Sequence, residues 1–238
     1  MDEAEWLNCT DPAPMLEYLR GKASDRKLRL FACACVRAIW DLLEDERARQ
    51  AVEAGERYAD GLTTVEELGV ASERAWGAVD ACPSEANYSA QSTVEISTYD
   101  AAVDGARHAS QDGVQLKTQC GLLREIFGNP FHPVTADPSW LTPEVIAISR
   151  VIYEERAFAR MRELADALQK ARCPDADILA HCGQESDHVR GCWVVDLILG
   201  ETQIRMPGHI LDLGEARRNL LLWHILFAED FEKFDHSR

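Results

Sequence analysis

Between residues 24 and 42, apolar side chains recur at intervals of three and four: Leu28, Phe31, Cys35, Ala38, Ile39 and Leu42. That spacing matches the turn of an α-helix and not the two-residue alternation of a strand. A stripe of this kind has to be covered, so the segment predicts a core helix with Ser24 as its N-cap. Arg26, Lys27, Arg29, Arg37 and Asp41 lie largely off the stripe, which places them on a solvated face, pairing with nearby carboxylates.

The same period recurs along most of the chain. Short helices are predicted over 2–7 and 14–22, the first broken by Asp11-Pro12 and the second ending at Gly21. A helix over 46–60 stops at Gly61, and Thr63 with Glu66 reads as the capping box of the next, which Pro83 ends. Residues 84–113 are rich in Ser, Thr and Ala and hold too few large apolar side chains to set a period. A loosely packed helix or a long, locally mobile loop is expected there. Helix returns over 113–127, followed by a Pro-rich stop at 128–133. Thr142-Pro143 opens another helix, a further one runs over 155–172, and Asp175 or Asp177 caps a short one. The apolar run 189–199 fits a helix or a buried strand, and its helical neighbours favour helix. Residues 200–214 read as a connector, and 215–234 as a final helix with Leu220, Trp223, Phe227, Phe231 and Phe234 on one stripe.

These segments predict an all-α, compact multi-helix bundle. A single helical domain spanning 1–238 is expected, with a soft boundary at the irregular connector near 128–141 and residues 201–238 as a C-terminal extension. Apolar residues make up 46% of the 238 and charged residues 28%, enough to bury a core and too apolar for disorder. The formal charge of −16 disfavours phosphate backbones and anionic membrane surfaces as partners. No stretch approaches the ~18 apolar residues of a membrane span, and the acidic start Asp2-Glu3 is unlike a secretory signal. A cytosolic protein is therefore expected, with its eight cysteines as thiols.

Reactive side chains are densest at Cys173, His181, Cys182, His188 and Cys192. Thiolate and imidazole are the ligands zinc prefers, so four could be drawn from this group, although no C-x-x-C pair anchors it. The bland alternative is buried thiols beside a polar loop. A second alternative is a thiolate–imidazolium pair of Cys182 with His181 or His188, with Asp187 or Asp196 as the orienting group. Cys33 and Cys35 point to nearly opposite sides of their helix, so core packing is expected of Cys35. The basic cluster Arg20, Lys22, Arg26, Lys27, Arg29 and Arg37 offers a place for a phosphate or an acidic partner, against the solvated-face reading above. Glu144, Glu154, Glu155 and Asp166 form no paired-carboxylate motif, and no phosphate-binding loop, H-E-x-x-H or G-x-S-x-G occurs.

Residues 3–7, 11–16 and 24–31, with the run SDRKLRLFACAC over 24–35, form one distinctive set. IFGNPF at 126–131, Trp140-Leu141-Thr142, DADILAHC at 175–182 and HVRGCWVVDLILG at 188–200 form another. Together they resemble an uncharacterised family of small proteins and domains abundant in planctomycete-type bacteria. The resemblance spans roughly 3–80 and 115–200, and it implies a bacterial cytosolic protein. The family brings no activity and no functional residues with it. Segment 201–238 departs from its pattern.

The leading functional expectation is a non-catalytic helical interaction or regulatory module with a protein partner, a homo-oligomer included, docking through Leu220, Trp223, Phe227, Phe231 and Phe234. The alternatives are a zinc- or thiol-dependent module or enzyme centred on Cys173–Cys192, and an acidic nucleic-acid mimic.

Overall fold

The computed structural model describes residues 1–184 and 187–201 of the chain. Twelve α-helices and no strand occur among them, so the fold is all-α. In order they are α1 (Glu3–Asn8), α2 (Pro12–Leu19), α3 (Asp25–Arg37), α4 (Glu46–Ala59), α5 (Val65–Ala81) and α6 (Glu85–Ser92). Then come α7 (Thr98–Gln111), α8 (Leu116–Phe127), α9 (Pro143–Glu155), α10 (Met161–Lys170), α11 (Ala176–Gly183) and α12 (Trp193–Leu199). No described helix is long and apolar enough to cross a membrane.

Helix α3 is the hub of the molecule. It packs against α4, α6, α7 and α8, and every residue from Lys27 to Val36 is buried. Ser24 caps it as the sequence predicts, accepting a hydrogen bond from the Lys27 N–H. The helix ends at Arg37, short of Leu42, which is exposed after a 3₁₀ turn over Trp40–Leu42.

The expectation of a solvated basic face on α3 is overturned. Lys27 and Arg29 are 4% and 1% exposed, because neighbours cover this helix on all sides. Their charged heads find fixed acceptors instead of water, as burial requires. Arg29 donates to the carbonyls of Thr93 and Glu95 at 2.6 Å each, just past the C-terminus of α6, where carbonyls lack helical partners. Arg37 pairs with Glu56 of α4 at 2.9 Å, which bears out the expected pairing with carboxylates at that position.

The stretch 84–113 is also not as expected. It forms α6 and α7, which pack tightly on each other and on α3. Ala101, Ala102 and Ala109 are fully buried, and a Cβ at Gly105 would touch Ala32 at 3.4 Å. Small side chains let the backbones approach closely. The lack of large residues, which hides the period in the sequence, is what permits the contact. Two smaller shifts concern helix ends. The capping box at α5 is Thr64 with Glu67, one residue later than predicted. The segment 155–172 breaks at Arg156, which adopts a left-handed conformation at φ 53° before α10 begins.

Two main apolar clusters result. The first joins α1–α8 around Trp6, Met15, Phe31, Leu43, Leu123 and Ile126. The second joins α9–α12 around Trp140, Ile152, Leu164, Ile178 and Ile198. A small third cluster, Ala51, Leu68, Ala75 and Val94, seats α5. The irregular segment 128–142 crosses from the first cluster to the second. Gly128 turns there at φ 64°, a conformation that favours glycine, and a Cβ would stand only 3.1 Å from the Trp193 indole.

Candidate metal centre

Four side chains from distant parts of the chain meet where the two main clusters touch. Glu125 sits in the last turn of α8, and His181 in the last turn of α11. His188 lies in the loop that follows, and Cys192 is the N-cap residue of α12. Asp175 starts α11 by accepting from the N–H groups of Asp177 and Ile178, which sets the phase that brings His181 to the junction. Gly191, at φ 90°, makes the turn that delivers Cys192, and a Cβ there would come within 2.9 Å of the Leu30 side chain of α3.

One ligating atom from each of the four lies within 4.8 Å of all the others. His188 Nδ1 is 3.0 Å from Glu125 Oε1, and His181 Nε2 is 3.3 Å from Glu125 Oε2. The same Nε2 is 3.1 Å from Cys192 Sγ, and the two imidazole rings meet edge to face at 5.0 Å. A tetrahedral zinc ion with ordinary bond lengths separates its ligands by roughly 3.3–3.6 Å. The close pairs would have to open by a few tenths of an ångström and the widest, up to 4.8 Å apart, to draw in by about 1 Å to accept one. Glu125, His188 and Cys192 are 6%, 8% and 1% exposed, so water is nearly excluded.

The electrostatics of the group are unusual for a core. Burial alone would raise the Glu125 carboxyl, but hydrogen bonds from His181 and His188 outweigh it and hold it at about 2. Burial, and then the Glu125 charge, push the Cys192 thiol well above its ordinary range. A carboxylate beside a thiol opposes the thiolate that nucleophilic chemistry needs. A divalent cation reverses that balance, because its charge stabilises carboxylate and thiolate together.

His181 decides between two chemical states. Its Nδ1 accepts from the Trp193 indole N–H at 3.2 Å, which leaves the proton on Nε2, directed at Glu125. A metal held on Nε2 would require the proton on Nδ1 instead. Nδ1 would then need an acceptor, and the Gln184 side chain stands 3.3 Å from it.

Of the five residues nominated from sequence, His181, His188 and Cys192 come together. Cys173 and Cys182 are buried in the second cluster outside this foursome. Burial, then Glu125 and Cys173, push the Cys182 thiol up to about 12, and burial raises Cys173. The imidazole–thiol hydrogen bond in this region is made by Cys192, with His181. Asp196, weighed as an orienting group, is bound bidentately by Arg26 at 2.7 and 3.1 Å. Cys35 is fully buried in the first cluster, as its helical position predicts. Leu220, Trp223, Phe227, Phe231 and Phe234, like the whole stretch 202–238, lie outside the described residues.

Glu125 is the member that sequence reasoning missed. Its one signal is a carboxylate inside the apolar run Leu122 to Phe127, and nothing in the spacing couples residue 125 to 181–192. Scans of protein-family models, of curated proteins and of solved structures find no match to this chain.

Proposed function

We propose that the protein is a non-catalytic helical module clamped by one zinc ion on Glu125, His181, His188 and Cys192. The convergence of these four donors from two helices, a loop and a helix cap carries the reading. Four protein ligands fill a tetrahedral shell, which is the pattern of structural zinc. The clamp would join α8 of the first cluster to α11 and α12 of the second, holding the fold's two halves in one arrangement for a partner. The elevated Cys192 thiol speaks against the thiol-enzyme alternative.

Metal analysis of protein purified under reducing conditions tests this directly. The expected result is one equivalent of zinc, lost in Glu125→Gln and Cys192→Ser, and a cobalt-substituted form with a thiolate-to-metal absorption band. A trace of metal unrelated to protein concentration, with no cobalt band and no effect of a chelator on melting, would overturn it.

A further inference from the structure

A cleft of about 630 Å³ opens between the two clusters, walled by α1, α8, α11, α12 and the segment after Gly128. It falls within the ~300–1,000 Å³ typical of small-molecule sites. Leu7, Phe127, Val134, Trp193 and Leu197 supply its apolar lining. The group at its base is Lys27, whose side chain is nearly inaccessible to bulk water yet lines the cleft.

Charge counting singles out that lysine. Lys27 belongs to a buried network with Arg26, Arg190, Asp60 and Asp196. Both oxygens of Asp196 are taken by Arg26, and Asp60 serves Arg26, Arg190 and the Tyr153 hydroxyl. Among the described residues the two guanidiniums thus occupy both carboxylates, which leaves the Lys27 ammonium, already disfavoured by burial, with no carboxylate at hydrogen-bond distance. An ammonium carries three protons. One goes to the Ile126 carbonyl at 2.5 Å, while the nearest carboxylate oxygen, on Asp196, stands 3.7 Å off. The other charges on the cleft are already engaged or peripheral. Arg124 is spent on the Trp6 and Cys9 carbonyls, and Glu3 is held by Asn129 and His132. Asp177 lies on the α11 wall.

We propose that this cleft binds a small amphipathic monocarboxylate, its carboxylate on Lys27 Nζ and its apolar body against Phe127, Trp193 and Leu197. A single carboxylate would give Lys27 the acidic partner at hydrogen-bond distance that it lacks, and would offset the burial that works against its ammonium. The charged head meets the lysine where water is scarce, so the contact is strong. The apolar walls select against bare inorganic anions. The site shares His181 with the metal centre but requires no metal.

Titration with naphthalene-2-carboxylate, followed by calorimetry and by the Trp193 indole N–H resonance, tests the proposal. Naphthalene-2-carboxamide, the same shape without the charge, is the control. Saturable binding at one site is expected, with the amide weaker by about tenfold or more, the worth of a charged hydrogen bond. Lys27→Met should lower carboxylate affinity by a similar factor and bring it to that of the amide. Leu7 is half exposed on the cleft wall, so Leu7→Glu keeps the fold and places a repelling charge at the entrance. It should weaken the carboxylate and spare the amide, and it decides the matter if Lys27→Met fails to fold. Equal affinity for carboxylate and amide, no binding at millimolar concentrations, or an unmoved Trp193 resonance would overturn the proposal.

Discussion

The residues that set this protein apart are buried charges. Arg26 alone bridges Asp196 of α12, Asp60 beyond α4 and the Tyr153 hydroxyl of α9. Burial acts against its charge, but Asp196 and its other partners raise the guanidinium above its ordinary value. Removing it takes the bidentate partner from the fully buried Asp196 carboxylate, so Arg26→Ala should destabilise by about 3–5 kcal/mol in urea denaturation. Replacing Arg26 and Asp196 together with apolar residues should cost much less, since neither charge is then left alone. Glu125 makes a pH prediction for protein kept metal-free by a chelator. Its carboxyl, held at about 2 by the two histidines, has a folded value below its unfolded one near ~4.3. The stability it confers is therefore complete above roughly pH 4.3 and is lost as pH falls towards 2. Denaturation midpoints measured between neutral and acid pH should show a fall that Glu125→Gln flattens. A fall of equal size in the variant would remove Glu125 as its source.

Helices were legible from the sequence wherever large apolar residues marked the turns. Ser24, Thr142 and Asp175 cap the helices that the sequence assigns them. The run 189–199, ambiguous by period, ends as helix α12. Helices α6 and α7 went unread because Ala, Ser and Thr carry no strong periodic signal, and their role is closeness of approach. Ala102 is fully buried in the first cluster. Enlarging it overpacks the interior, so Ala102→Leu should cost about 1–3 kcal/mol, against a near-neutral Ala→Leu at an exposed helical site. Equal stability of Ala102→Leu and the parent in urea would mean that the α3–α7 contact is looser than described.

Across the whole molecule, the two clusters are held together by few but specific links. Arg26 spans both clusters, and Arg190, stacked on Tyr153, donates to Asp60 at 2.9 Å. The four donors around Glu125 form a third link. If zinc closes that link, free zinc at a hundred times its dissociation constant should add about 2.7 kcal/mol. A chain of this size should then melt roughly 5–10 °C higher with zinc than with a chelator. Cys192→Ser should lose most of the difference, and an unchanged melting point in scanning calorimetry would count against the clamp. The sequence by itself determined the fold class and many helix ends, and it nominated five candidate ligands within 173–192, because period, caps and short spacing are local properties of a chain. Only the tertiary structure decided that the basic residues of α3 are buried, that Glu125 joins the histidines and that a lysine lines the cleft. Those facts depend on which faces cover which, and residues sixty or a hundred positions apart carry no local mark of being neighbours.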